Sequence, residues 1–305
     1  MTIGKALARR RFLVIFNPVA GRNARARLDR ALIALRRLGA VVELRETAGP
    51  GDAERFARTA VFADFDVVAV AGGDGTVNEV VNGLADSNLP LAIFPFGTGN
   101  VLAHEIDLPR HPARLALIAT QGEARPIWLG EVASTGVSDR RFVLMAGIGF
   151  DAQVVEGLDL ELKQRTGKFA FVWSILKRLW RYRPLRYDVI VEGSGAPQSF
   201  RPASVVATRG HYYGGRFVLA PKARLSDPVL YVVMFMQTGR WAALRYLVAL
   251  ALGVLHRLPD VKTVAAHAAR FVTPTGAPVQ IDGDILAHQP ATIRIADRPL
   301  LLIHP

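Results

Sequence analysis

The sequence predicts two domains: an α/β domain with a parallel sheet, followed by an antiparallel β-sandwich. Three observations predict it. Short apolar, β-branched runs alternate with helical periodicity through residues 1–127. From Trp128 onward the rhythm changes to strand-length runs separated by turn residues. Half of the 305 residues are hydrophobic, enough to fill the cores of two ordinary domains and too many for extensive disorder.

Phe12–Phe16 reads as the first strand. Arg9-Arg10-Arg11 precede it, but the apolar run is too short for a signal peptide and closes in Asn17-Pro18. Arg25–Leu38 is a helix with Leu28, Leu32 and Leu35 on one face, ended by Gly39. Val41–Leu44 is the second strand, and Asp52–Phe62 a helix that Asp52 can cap. Val67–Ala71 is uninterrupted and apolar, which suits a strand buried on both faces. It opens into Gly72-Gly73-Asp74-Gly75-Thr76, after which Val77, Val80, Val81 and Leu84 form one helical stripe. Leu91–Phe94 is the fourth strand, and short helices start near Asn100 and Pro112.

In such a βαβ sheet the ligand site lies at the carboxyl ends of the strands. Three loops therefore share one rim: Asn17–Arg22, Gly72–Thr76 and Pro95–Asn100. The glycines of the second permit a tight turn and let backbone N–H groups approach a ligand, and a helix N-terminus favours an anion. Asp74 could hold Mg²⁺ there against phosphate oxygens. The same residues fit a plainer account, in which Thr76 and Glu79 form a capping box and Asp74 serves the turn. Arg22 would neutralise phosphate or stand as a solvated charge. No Gly-Lys-Ser/Thr follows, so this is not a Walker loop.

Beyond residue 127, strands are expected at Trp128–Ala133, Arg141–Ala146, Tyr187–Glu192, Ala203–Thr208, Arg216–Ala220 and Leu230–Met236. Ile293 and Ile295 alternate with polar neighbours near the end. The boundaries follow as 1–127 and 128–290, with 291–305 a candidate to complete the first domain. Trp241–Leu255 is apolar nearly all round and reads as a packed core helix. Lys168–Tyr182 places Phe169, Val172, Trp173, Leu176 and Trp180 opposite lysines and arginines. It fits an interfacial helix at lipid headgroups or an amphipathic helix packed on the sandwich.

The formal net charge of +12 calls for an anionic partner. Nucleic acid is disfavoured, since no zinc finger, helix-turn-helix or aromatic-studded sheet accompanies the charge. No apolar run is long enough to span a bilayer. The absence of cysteine removes disulfides, thiolate chemistry and Cys-ligated zinc, and fits a reducing cytosol. Gly147-Ile148-Gly149 follows a strand, but basic and aromatic residues stand where a dinucleotide's acidic ribose partner belongs. Asp282-Gly283-Asp284 is too short for a calcium loop. Its carboxylates suit a base and a metal contact, or a turn at a strand end.

Together, Asn17-Pro18-Val19-Ala20-Gly21, Gly72–Thr76, Pro95–Asn100, Gly147–Ala152, Gly214-Gly215 and Asp282-Gly283-Asp284 resemble the diacylglycerol kinase catalytic family of bacterial lipid kinases, which includes sphingosine kinase. The Gly-Gly-Asp-Gly-Thr block alone is shared with NAD kinases and phosphofructokinases. The resemblance implies an NAD kinase/phosphofructokinase-like α/β domain and a β-sandwich lipid-substrate domain, with ATP and Mg²⁺ in an interdomain cleft. It implies nucleotide contacts from Asn17, Pro18, Val19, Ala20, Gly21 and Arg22, from Thr47, from Gly73, Asp74, Gly75, Thr76, Val77, Asn78 and Glu79, and from Thr98. Asp284 stands where the family's Asp-Gly-Glu motif has its proton acceptor, one methylene shorter, aided by Asp282 or Asp74. A structural Mg²⁺ is implied at Arg224 and Val229 through their carbonyls and at Asp227 through its side chain, although Pro228 replaces the usual glycine. The implied partner is a lipid such as diacylglycerol or a sphingoid or ceramide lipid at an anionic membrane surface. The implied location is cytoplasmic, peripheral to the inner face of the membrane, with a homodimer as one open assembly. An NAD kinase-like soluble-substrate kinase and a catalytically silent lipid- or nucleotide-binding protein remain alternatives.

Overall fold

The computed structural model describes residues 9–21, 23–134, 137–150, 152, 185–272, 277–287 and 290–305. Arg22 and the expected helix at Lys168–Tyr182 lie outside the described residues. The chain divides into two compact units, one running to Ile127 and regaining Arg298–Pro305, the other Trp128–Asp297.

The first unit is built on a six-stranded sheet ordered β2-β1-β3-β4-β20-β5. These strands are β1 (Arg11–Phe16), β2 (Val41–Glu46), β3 (Val67–Gly72), β4 (Leu91–Pro95), β5 (Glu123–Ile127) and β20 (Leu300–His304). The first four are parallel, β20 joins parallel to β4, and β5 runs antiparallel at the far edge. The interior position of β1 and β3 explains their unbroken apolar runs: Phe12–Phe16 and Val67–Ala71 are wholly buried. Edge strand β2 alternates instead. The helices are α1 (Ala24–Arg37), α2 (Asp52–Ala60), α3 (Asp74–Gly83), α4 (Val101–Glu105) and α5 (Pro112–Gln121). Leu28, Ala31, Leu32 and Leu35 of α1 pack on Phe12, Val14 and Phe16, and each buried leucine contributes about 1.5–3 kcal/mol. Asp66 accepts the N–H groups of Arg10 and Arg11, which pins the start of β1 beside β3. Those two bonds also hold its carboxyl below the usual range.

The second unit stacks two six-stranded antiparallel sheets. One is ordered β10 (Gln198–Phe200), β9 (Asp188–Glu192), β16 (Ala268–Val272), β19 (Ala291–Ile295), β6 (Gly130–Ser134), β7 (Val137–Phe142). The other is ordered β15 (Val261–Ala266), β14 (Leu230–Phe235), β11 (Ser204–Thr208), β8 (Met145–Ile148), β17 (Val279–Ile281), β18 (Asp284–Ala287). Phe142, Val191, Phe271 and Ile293 from the first share a core with Ile148, Val205, Val232 and Val279 from the second. A small hairpin pairs β12 (Tyr212–Tyr213) with β13 (Phe217–Val218).

Two expectations change. Arg141–Ala146 is not one strand, because the chain leaves β7 at Phe142 and enters the opposite sheet at Met145. The helix expected at Trp241–Leu255 is α6 (Arg240–Ala251), and it is not core throughout. It buries only Ala243, Tyr246 and Ala249, a narrow stripe held by the Tyr246 hydroxyl on Asp260, while Trp241 is 76% exposed. Sequence hydrophobicity overstated that helix because its inward face is small and its outward face apolar.

Candidate active site

The three glycine-bearing loops leave β1, β3 and β4, which are neighbours in the sheet, and hydrogen bonds tie them together. The Asn17 N–H donates to the Ala71 carbonyl (3.0 Å), and its side-chain amide donates to Thr76 Oγ1 (2.9 Å). The Phe96 and Gly97 N–H groups both donate to the Gly72 carbonyl, at 2.8 and 3.1 Å. The Asn100 amide donates to the Gly97 carbonyl (2.6 Å). Gly97 is required by space: a Cβ there would stand 2.6 Å from Gly73 Cα. Gly21 is required twice over, by its φ of +74° and by the Phe96 carbonyl that a Cβ would strike. The Thr47 N–H donates to the Phe16 carbonyl (2.9 Å), which brings Thr47 to the same edge.

Helix α3 starts in this rim. Gly73 precedes its first turn in an extended conformation, and among the described residues no side chain caps it. The capping box expected of Thr76 and Glu79 is not formed. Thr76 instead accepts from Asn17, and Glu79 Oε2 accepts the Ala53 N–H (3.1 Å) at the start of the neighbouring α2. The first-turn amides of a helix have no partner within it, so α3 aims N–H groups and the positive end of its dipole along the rim. Asp74 is half-buried there, with Oδ1 3.5 Å from the Leu102 N–H. Gly75 and Thr98 are exposed, as are Pro18 and Val19, whereas Val77 and Asn78 are buried. The Val77 N–H already donates to the Gly73 carbonyl (3.0 Å).

Arg27 carries a role that sequence spacing did not reveal. From α1 its guanidinium donates to the Pro95 carbonyl (2.7 Å) and lies 4.4 Å from the centre of the Phe96 ring. Burial, then the charge of Arg110, depresses its pKa. Among the many arginines of α1, no periodicity marks it out.

In the sandwich, Asp282 and Gly283 form the two-residue turn between β17 and β18, both with positive φ (+45° and +94°). Asp-Gly is the residue pair such a hairpin favours. The Asp282 carboxylate accepts three backbone N–H groups, from Val143 (2.7 Å), Leu144 (2.9 Å) and Met145 (2.9 Å). Its oxygens therefore fix the crossover between β7 and β8. Asp284, the first residue of β18, is exposed.

The loop expected to hold a structural metal surrounds a side chain. Arg209, directly after β11, is completely buried. Its Nε donates to the Trp128 carbonyl (3.0 Å) and its Nη2 to the Leu225 carbonyl (3.0 Å) and the Asp227 carbonyl. Its Nη1 donates to the Val229 carbonyl. Asp227 Oδ1 accepts from the Ser226 hydroxyl (2.9 Å), and the Arg224 carbonyl accepts the Asp227 N–H (3.2 Å). A divalent ion does not fit this set, because the Val229 carbonyl faces a guanidinium and a second positive charge would sit against the first.

The profile of the diacylglycerol kinase catalytic domain matches residues 11–132, and that of the YegS C-terminal NAD kinase beta sandwich-like domain matches residues 145–304. A protein named diacylglycerol kinase in Mycobacterium tuberculosis is 30% identical over 308 residues, covering 99% of this chain and 96% of its own. Another of that name in Bacillus subtilis (strain 168) is 31% identical over 222 residues, or 72% and 71% of the two chains. A crystal structure from Bacillus anthracis str. Sterne superposes with a TM-score of 0.82 at 24% identity, over 100% of this chain and 98% of its own, and shows the fold. The chain belongs to the diacylglycerol kinase catalytic-domain family, whose members are ATP-using phosphotransferases with an alcohol acceptor.

Proposed function

We propose that this chain transfers the γ-phosphate of ATP to the primary hydroxyl of a lipid, with diacylglycerol or a sphingoid or ceramide lipid as acceptor. The observation that carries the reading is the knitting of three glycine-bearing turns at neighbouring strand ends, with the start of α3 among them. Such a rim cradles phosphate with backbone N–H groups and a helix dipole, without needing a lysine. The names of the relatives in Mycobacterium tuberculosis and Bacillus subtilis support a diacylglycerol-like acceptor.

A single half-buried carboxylate, Asp74, fits a Mg²⁺ ion shared with nucleotide phosphates, the usual manner of binding this ion. Among the described residues no group of three His, Cys, Asp or Glu offers an all-protein cage. When bound, Mg²⁺ neutralises charge on the phosphoryl oxygens. The amides of Asp74, Gly75 and Thr76 orient the triphosphate, with the Asn17–Thr76 bond keeping the first and second loops in register. The lipid oxygen bonds to the γ-phosphorus as the bond to the ADP oxygen breaks, and Asp284 accepts the hydroxyl proton. Asp282 holds the hairpin that presents Asp284. The charge of +12 suits work at the anionic inner face of the membrane. Among the described residues no helix is long and apolar enough to cross a membrane.

A panel of primary-alcohol lipids in mixed vesicles, incubated with radiolabelled ATP and separated by chromatography, tests the reading. One or more lipids of this class should become a labelled phosphate ester. Phosphorylation of NAD without any labelled lipid would replace the lipid reading.

A further inference from the structure

We propose that Arg209 is the resident cation of the loop Pro221–Val229, taking the place that the family resemblance gives to a divalent ion, so that this loop folds without metal. The proposal stands on the sandwich alone and does not depend on the lipid-kinase reading.

A fully buried charge survives only when its hydrogen bonds are satisfied. Arg209 meets that requirement with backbone oxygens gathered from two segments: Trp128, and then Leu225, Asp227 and Val229. Carbonyls converging on one point, beside a carboxylate, are what a hard divalent cation collects. Here the planar fork of guanidinium donors occupies that point. The same carbonyls are further anchored, since Leu225 also accepts the Trp128 N–H (2.8 Å) and Asp227 the Val229 N–H (2.8 Å). The Arg209 N–H donates to the Leu144 carbonyl (2.7 Å), which fixes the root of the side chain beside β8. Burial pushes the guanidinium down to about 10, with the Asp227 charge opposing the shift, so it stays cationic near neutral pH. Pro228 fits the same picture: its fixed φ shapes the turn that the Val229 N–H closes on the Asp227 carbonyl. A covalently attached cation also keeps the loop assembled whatever the divalent concentration.

The test uses the full chain without nucleotide. Mn²⁺ binding is followed by electron paramagnetic resonance, and thermal melting is compared in EDTA and in excess Mg²⁺. Wild type should melt at the same temperature in both, and any Mn²⁺ it binds should be unaffected by Asp227→Asn. A bound Mn²⁺, or a Mg²⁺-induced rise in melting temperature, that disappears in Asp227→Asn would overturn the proposal. Arg209→Ala should melt about 5–10 °C lower in EDTA, because four carbonyls each lose one donor and the side chain leaves a buried void. It should then recover part of that loss in Mg²⁺ or Ca²⁺, which the wild type does not. Arg209→Ala as stable as wild type in EDTA would equally overturn the assignment. The wild-type and Asp227→Asn arms need no change at Arg209, and they decide the matter if the alanine variant does not fold.

Discussion

Asp282 and Asp284 are two residues apart and have different work to do. Asp282 gives both oxygens to three consecutive N–H groups, and charge-assisted bonds of this type contribute roughly 1.5–3 kcal/mol each when neighbouring losses are not shared. Asp282→Ala should therefore destabilise the sandwich by about 2–4 kcal/mol, read as a lower urea midpoint. A loss under about 0.5 kcal/mol would mean the crossover at Val143–Leu144 holds without it. Asp284 is exposed at the first position of β18, where its removal should leave folding intact. Asp284→Asn should lower turnover about 10²–10⁴-fold while nucleotide affinity persists. Turnover near the wild-type rate in that variant would take the proton-acceptor role away from Asp284. The local Asp-Gly pairing was readable as a turn. The identity of Asp282's partners was not, because they lie 137–139 positions away along the chain.

Among the elements, legibility followed burial. Phe12–Phe16 and Val67–Ala71 announce themselves because interior parallel strands are apolar on both faces. The rim loops were equally plain as turns, since glycine and asparagine at strand ends favour tight turns. By contrast, β15 and β16 carry Ala265-Ala266-His267-Ala268-Ala269 across their junction, residues with little strand preference, and only pairing with β14, β9 and β19 makes them strands. Strand β5 contains Pro126, which an edge tolerates. At the rim, Gly97→Ala should separate the second and third loops and weaken binding of a fluorescent ATP analogue by tenfold or more, ~1.4 kcal/mol. Unchanged affinity would put the triphosphate elsewhere. Strand β20 carries a pH response. His304 is half-buried, with a buried Nε2 that has no hydrogen-bond partner among the described residues, and burial, then the charge of Arg125, lowers its pKa. The folded protein thus holds fewer protons than the unfolded chain below the ordinary histidine value, and stability is lost as pH falls through about 6.5. The denaturation midpoint of wild type should drop between about pH 7 and 5, with a shallower drop in His304→Phe. Equal slopes would assign the pH dependence to other groups.

At the scale of the molecule there are two units with separate cores: the first carries the glycine-bearing rim, and the second is a sandwich bearing an exposed carboxylate. The change of rhythm near residue 127 made both units visible, but the return of β20 to the first sheet rests on five residues, Leu300–His304, too few to declare their partner. Arg209 was illegible for a related reason: a lone arginine after a strand reveals nothing until the carbonyls of Trp128 and Val229 are seen around it. The net charge of +12 makes a long-range prediction. Co-sedimentation with anionic vesicles should weaken as salt shortens the screening length from about 30 Å to about 8 Å, and neutral vesicles should bind little at any salt. Salt-independent binding would move the attraction from charge to apolar contact. The most direct measurement of the whole account is the origin of the phosphorus in the product, with ATP labelled at the γ or the α position supplied alongside diacylglycerol vesicles and a panel of other primary-alcohol lipids. A lipid phosphate ester labelled from the γ position and not from the α position is the expected product. Label arriving from the α position, or no labelled lipid across the panel, would contradict it.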